Sequence, residues 1–443
     1  VNLELMDLYN QHKKNGSTRQ EFLKDAAQIK GIYVPSLYNV QYNDDNTIKS
    51  VTPIGNAPAV IKKRIIKDFD KVYYPESFVV PFSDIVHNRA SVEVLRGCIR
   101  GCRFCQAGFL YRPFREKSTE SIYNQAKALC ENTGYDELSL ASLSTSDHSD
   151  IQNMLSKLID YTEGEHINLS LPSLRIDNFS EELLEKVKRV RKSGLTFAPE
   201  AGTQRLRDVI NKNVSEEEIM NTCRIAFEGG YSNVKLYFMM GLPTERDEDI
   251  VGIAELAQRI IDLYYTIENR PKGRGVQVSI STATFVPKPF TPFQFEAQDT
   301  KEMIEHKQKL LVSSVKTKKI KVSWHDPNVS MLEAVLAKGD RRLSQVIYKA
   351  WQKGCKFDSW SEHYKYDKWL EAFDECNISP EFYANRQRPY DEILPWDHLD
   401  YYVSKDFFVR ENQTARAGKT TPNCRQRCSA CGLVKETGVK CFE

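Results

Sequence analysis

No run of this 443-residue chain approaches the ~18 consecutive apolar residues of a membrane span, and its first residues form no signal peptide. Charge of one sign is also missing: 62 Lys and Arg meet 60 Asp and Glu, leaving +2. That excludes a global polyanion binder and an acidic tail, so any nucleic-acid role must rest on a local patch. Gly and Pro are modest at 21 and 18, and 41% of residues are apolar, which excludes a disordered or collagen-like chain. There is no P-loop or dinucleotide fingerprint, no low-complexity tract, and no repeat beyond a strand–helix alternation. A cytoplasmic protein with no membrane partner is the default expectation. Val1 in place of an initiator Met reads as a fragment of a longer chain.

Cysteine is the informative presence. Seven of the eleven fall in two tight groups, Cys98, Cys102, Cys105 and Cys424, Cys428, Cys431, Cys441. In a reducing compartment, clustered spacing argues for metal rather than disulfides. The scattered Cys130, Cys223, Cys355 and Cys376 lie in predicted helices and read as core.

Residues 90–286, within a core domain of 90–298, alternate between two kinds of segment. Strand-like runs occur at Ala90–Leu95, Glu137–Leu143, Ile167–Leu171, Leu195–Ala198, Asn233–Met240 and Val276–Phe285. Helical patterns lie between them at Thr119–Cys130, Ile151–Tyr161, Glu181–Arg191 after Ser180, Ile219–Phe227 and Asp249–Ile267. A Ser215/Glu218 capping box introduces the fourth. Six strand–helix units imply an α/β fold with a parallel sheet and right-handed crossovers, an incomplete (β/α)6 TIM-like barrel open along one side. Around this core, 1–89 is a lead-in with a helical stretch near Leu3–His12, short strand-like pieces around Gly31–Tyr42 and Val51–Pro53 and a basic run at Lys62–Lys67, and 299–403 is mostly helical. Residues 404–443 form a Cys-rich tail with little periodicity.

Cys98, Cys102 and Cys105 stand in RGCIRGCRFCQAG, a C-x-x-x-C-x-x-C loop at the carboxyl end of the first strand. Three thiolates so close can wrap one face of a cluster, and three ligands leave one iron of a four-iron cluster open. The rival is a zinc knuckle lacking a ligand.

With Phe104 before the last Cys and five strand–helix units behind it, the segment resembles the radical S-adenosylmethionine superfamily. GIYVPSLY (31–38), PEAGTQRLRDVINKN (199–213), KLYFMMGLPTE (235–245), FVPKPFTPFQ (285–294), WHDP (324–327) and GDRRL (339–343) resemble one subfamily. Its full-length members carry an N-terminal cobalamin-binding-type domain. This chain has no D-x-H-x-x-G fingerprint, which leaves cobalamin open.

The resemblance implies a [4Fe-4S] cluster on Cys98, Cys102 and Cys105, with S-adenosylmethionine on the open iron. It implies reductive cleavage to a 5'-deoxyadenosyl radical, and an electron donor such as flavodoxin or ferredoxin. Carried over residue by residue, Ser144 and Thr145 would meet the methionyl amino group and Arg175 the carboxylate. Glu200 would meet the ribose or amine, and Gly241 with Pro243 the adenine. The plainer alternatives are that Arg175 pairs with a structural carboxylate and Glu200 caps a helix. Methyl or methylthio transfer to an RNA or protein follows by superfamily analogy alone.

Arg96, Arg100, Arg103, Arg112, Arg115 and Lys117 face only Glu116, a local +5 within residues 96–117. It would hold an RNA phosphate or, more plainly, compensate the cluster. The second cysteine group repeats the spacing without the aromatic, since Ala430 stands there, and only 12 residues follow Cys431. Four thiolates form a closed set, suited to structural zinc or an auxiliary iron–sulfur cluster, and metal would supply the folding energy of so polar a tail. His148 and His325 are weak acid–base candidates. A second class of function stays open: a cluster-bearing RNA-binding or assembly factor without turnover.

Overall fold

The computed structural model describes residues 1–170, 195–268, 270 and 275–439. The predicted helix Glu181–Arg191, its cap Ser180, and two predicted site residues, Arg175 and Cys441, lie outside them.

Among the described residues, seven parallel strands form the centre. In chain order they are β1 (Ala90–Glu93), β2 (Glu137–Ala141), β3 (Asn168–Ser170), β4 (Leu195–Glu200), β5 (Asn233–Met240), β6 (Gln277–Thr284) and β7 (Ile320–Trp324). They pair as β1-β2-β3 and as β4-β5-β6-β7, each neighbour parallel. β1, β2, β5 and β6 bury alternate residues completely, including Val92, Leu138, Leu140, Leu236 and Val278. Such strands need a helix over them, which the crossovers provide.

The helices over them are Thr119–Thr133, Ile151–Gly164, Glu216–Glu228 and Asp247–Thr266. Each buries an apolar stripe: Ile122, Ala126 and Leu129 on the first, Met154, Leu155 and Leu158 on the second. The Ser215/Glu218 capping box is formed in both directions. At ~1.5–3 kcal/mol per fully buried large aliphatic side chain, these stripes dominate the stability of the layer.

The strand-like pieces of the lead-in pair as a hairpin, Tyr38–Tyr42 against Ile48–Pro53. Two expectations change. Strand β7 falls in the region read as helical. Its K-I-K-V-S-W alternation buries only Ile320 completely, which is an edge strand's pattern, with Lys321 on the exposed side. The tail holds a helix, Lys405–Arg416, capped by Ser404. That helix buries Glu411 and Asn412 beside Phe407 and Phe408, so its inward face is partly polar and shows no apolar period.

No helix among the described residues is long and apolar enough to cross a membrane.

Candidate functional site

The chain leaves β1 at Glu93, turns, and forms a two-residue strand, Leu95–Arg96, antiparallel to Arg115–Glu116. Residues 97–114 are therefore a loop closed at its neck, and the three cysteines stand inside it. Gly97 sits at φ +90°, where a Cβ would lie 2.6 Å from the Pro113 carbonyl, so only glycine passes the neck.

Cys98, Cys102 and Cys105 are partly buried free thiols. Burial, then the neighbouring Cys102, pushes the Cys98 thiol up to about 12, against a 3.4 Å hydrogen bond from the Arg100 N–H. Burial and Cys102 also push Cys105 up. Two buried thiols pushed up with a third sulfur beside them become thiolates readily only with positive charge among them, which is the donor chemistry an iron–sulfur cluster satisfies. Among the described residues no three His, Cys, Asp or Glu side chains are arranged to hold a metal ion. A four-iron cluster spreads its thiolates over separate irons rather than gathering them on one.

Other strand ends converge on the loop. After β2, the Ser144 hydroxyl donates to Asp147 at 2.7 Å, and Thr145 shares a 2.8 Å hydrogen bond with Ser142. Asp147 in turn takes a bidentate pair from Arg100 at 2.5 and 3.0 Å. Ser144 and Thr145 are buried, and the Ser144 hydroxyl reaches the cysteine loop through Asp147 and Arg100 while that of Thr145 stays on Ser142.

Glu200 ends β4 in the left-handed region, φ +69°, a conformation that costs a non-glycine residue ~1–3 kcal/mol and gathers at functional sites. It does not cap the next helix; Thr203 does. Its carboxylate pairs with Lys212 at 3.1 Å, and the Lys212 ammonium stands 6.0 Å from the centroid of the Phe104 ring. Lys212 lowers and Glu200 raises the Cys105 thiol, so both reach the sulfur electrostatically. Lys212 was not among the expected residues. The signal was present in PEAGTQRLRDVINKN, a Glu and a Lys twelve apart on one strand–helix excursion.

Gly241 follows β5 at φ +85°, and its N–H donates to Glu245 at 2.6 Å. Glu245 is buried and its pKa is raised by that burial to about 7, against the opposing pull of Lys307 at 2.7 Å. The turn carrying Gly241 and Pro243 is thus pinned from below. It lines a separate cavity of about 600 Å3.

The basic segment is consumed by the protein. Arg96 pairs with Glu93, Arg100 with Asp147, and Arg103 with Glu411. Arg115 donates to the carbonyls of Ile66, Tyr111 and Pro113, Lys117 donates to Gln125, and Arg112 lies 4.6 Å over Phe109. Arg103 is fully buried inside the cysteine motif and donates also to the carbonyls of Asp208, Val209 and Lys419 and to the Thr421 hydroxyl. His148 is buried on the Lys117 carbonyl and is structural.

The tail returns to this loop: the Cys424 N–H donates to the Ile99 carbonyl at 2.9 Å. Its cysteines part company, however. Cys424 packs in the main core, Cys431 among Phe109, Phe407 and Leu433, and Cys428 is exposed. Cys441, the fourth expected thiolate, lies outside the described residues.

A cavity of about 940 Å3 opens at the neck of the loop, lined by Gly97, Arg96, Tyr111, Ser142, Lys63 and Tyr401. Burial lowers the Lys63 ammonium to about 8 while it donates to the Leu110 and Arg112 carbonyls.

The profile of the radical SAM superfamily matches residues 92–257. The chain is 30% identical over 312 residues to an uncharacterised protein of Methanocaldococcus jannaschii, covering 68% of this chain and 66% of that one. A putative methylthiotransferase of the same organism is 26% identical, covering 36% of each chain. A tRNA-2-methylthio-N(6)-dimethylallyladenosine synthase of Desulforamulus reducens is 22% identical, covering 39% of each. The chain thus spans between about a third and two thirds of the length of these relatives. It superposes on the radical S-adenosylmethionine methyltransferase TsrM of Kitasatospora setae with a TM-score of 0.37 and 13% identity, covering 46% of this chain and 38% of that one, too loosely for any conclusion.

Proposed function

Because the chain belongs to the radical SAM superfamily, we propose that it reductively cleaves S-adenosylmethionine and transfers a methyl or methylthio group to an RNA or protein substrate. The observation that carries this is the neck-closed loop at the strand ends, where Cys98 and Cys105 are pushed up by burial and by Cys102 while Glu200 and Lys212 stand beside the last of them.

Cys98, Cys102 and Cys105 would hold a [4Fe-4S] cluster, which supplies, when bound, the electron that breaks the sulfonium bond. The protein's own residues bind and orient. Glu200 and Lys212 present one negative and one positive group beside Cys105, matched in sign to the amino and carboxylate groups of a methionyl moiety. Phe104 walls that pair, and Asp147, through Arg100, fixes the loop from the β2 side. The Gly241–Pro243 turn offers backbone approach to adenine, with Glu245 as its brace. Ser144 and Thr145 act by holding the loop, and Arg175 keeps the expected carboxylate role.

On the same reading, 90–298 is the core domain, an incomplete barrel widened by β7. Residues 1–89 lead in, 299–403 pack against it, and 404–443 close over the cysteine loop. An electron donor of flavodoxin or ferredoxin type and a cytoplasmic location go with it, and cobalamin use is a separate matter. A second metal, zinc or an auxiliary cluster on Cys424, Cys428, Cys431 and Cys441, fits the present packing poorly. It requires Cys424 and Cys431 to leave different apolar clusters. No step of the reaction needs it.

The test is anaerobic reconstitution, reduction and measurement of 5'-deoxyadenosine. Release by the intact chain, abolished by Ala at the three cysteines, is expected. A chain that loads a cluster and releases none would instead be a binding or assembly factor.

A further inference from the structure

The cavity of about 940 Å3 at the neck of the cysteine loop is lined by four cationic side chains, Lys63, Arg64, Arg96 and Arg115, and by one carboxylate, Glu93. Arg96 forms a bidentate pair with Glu93 at 2.7 and 2.8 Å, which cancels one charge of each sign. Lys63 and Arg64 come from the basic run, which is clasped on both sides. The Lys63 N–H donates to the Asp400 carbonyl and the Lys63 carbonyl accepts the Tyr402 hydroxyl, each at 2.9 Å. Beyond them Arg115 donates to the Ile66 carbonyl at 2.8 Å. Residues 63–66 therefore run along the cysteine loop.

Lys63 is the telling group. Its ammonium donates to the Leu110 and Arg112 carbonyls at 2.7 and 2.6 Å and lies 5.5 Å from the centroid of the Tyr401 ring. Its third proton has no acceptor among the described residues, and no carboxylate there lies within 4 Å of it. The charges that bear on it are Arg115 and Arg112, which repel it, and Asp400, which does not offset its burial. A neutral amide could serve the same two carbonyls. A half-buried ammonium among guanidinium groups carries a desolvation and repulsion cost that an anion in the cavity would offset.

Arg64 adds a second cation at the rim. Its side chain is 40% exposed and pairs with Glu4, itself 51% exposed, a surface pair of little worth. Two tyrosines complete the lining, Tyr401 under Lys63 and Tyr111, which is 51% exposed. Cations interleaved with aromatic rings suit single-stranded nucleic acid, its phosphates on the cations and its bases on the rings. An acidic peptide would use the cations and leave the rings idle.

We propose that this cavity seats an RNA substrate, with a phosphate on Lys63 and Arg64 and the adjoining base against Tyr111, so that the nucleotide to be modified lies at the neck of the cysteine loop. This names the substrate of the reading above and rests on that reading for the chemistry, though not for the binding.

The full chain, with or without iron and without reductant, is titrated with an unstructured oligoribonucleotide of about twelve residues, with nucleoside 5'-monophosphates and with polyglutamate. Saturable binding of the oligomer is expected. Its affinity should fall with salt at a logarithmic slope of about two, for roughly three phosphates neutralised. Arg64→Gln and Lys63→Gln should each weaken it about fivefold or more and lower that slope by about 0.7. Lys349→Gln, on the helix Leu343–Gln352 and outside the cavity lining, should change neither. Should Lys63→Gln loosen the loop, the Lys63 side-chain resonance of the unaltered chain must still move on binding. Its titration midpoint should rise, because an anion stabilises the ammonium. No saturable binding, monophosphates bound as tightly as the oligomer, indifference to Lys63 and Arg64, or an equal loss at Lys349 overturns the proposal. Preference for polyglutamate overturns it in favour of an acidic protein substrate. None of these outcomes bears on 5'-deoxyadenosine release, which is measured without RNA and tests the cluster reading by itself.

Discussion

The two cysteine groups share one spacing and have opposite surroundings. Around Cys98, Cys102 and Cys105 the chain is clasped at its neck, glycine-permissive, and walled by paired charges from β2 and β4. Around Cys424, Cys428 and Cys431 the same interval of residues delivers one thiol to the main core, one to solvent and one to a phenylalanine cluster. Spacing sets how far apart thiols can be. Which way they face is decided by what the intervening residues pack against.

The largest effect that can break this comparison is on activity. Ala at Cys98, Cys102 and Cys105 should abolish 5'-deoxyadenosine release and remove the loop's iron. Ala at Cys424, Cys428 and Cys431 should leave release in place. Iron, zinc and sulfide content beside the cleavage rate decides the matter, and the reverse result would exchange the two assignments. Next is Glu411→Ala, which strands the buried Arg103 guanidinium. Breaking a buried pair from one side costs ~3–5 kcal/mol, so denaturant unfolding should shift by about that much, with slower cluster loading. A smaller loss is expected at Glu200→Ala or Lys212→Ala. Each should weaken S-adenosylmethionine binding by ~1.5–3 kcal/mol, roughly 10- to 150-fold in Kd, without loss of iron. An unchanged Kd in both would make the pair structural. The smallest is Cys428→Ser, which at an exposed position should move stability by less than ~0.5 kcal/mol. A larger shift, accompanied by loss of zinc or iron, would show that the tail gathers its thiols on metal after all.

The parallel strands were legible from their apolar content, as in Val234, Leu236, Phe238 and Met240, although these alternate residues fill one face and leave Lys235 and Tyr237 exposed on the other. The first cysteine loop was legible because its ligands are contiguous. β7 was hidden by being an edge, and the helix Lys405–Arg416 by burying Glu411 and Asn412 against partners more than a hundred residues away, Arg103 and Glu296. The same distance hid the fate of the basic segment. A local +5 looks like a patch for an anion until Asp147 and Glu411 are folded against it. Lys212 was missed because its meaning depends on a left-handed Glu200, and backbone conformation of that kind has no compositional mark.

The fastening of Arg103 also sets an order of events. Its guanidinium is enclosed by residues 208 and 209, then 411, then 419 and 421, up to 318 positions further along the chain. Contacts of such separation form late, and during synthesis they cannot form before residue 421 has emerged. Until then the cysteine loop has its neck and its β2 partner but lacks the wall that residues 411 and 419–424 supply. Cluster loading is therefore expected to be fastest before those residues dock along Ile99 and slowest after.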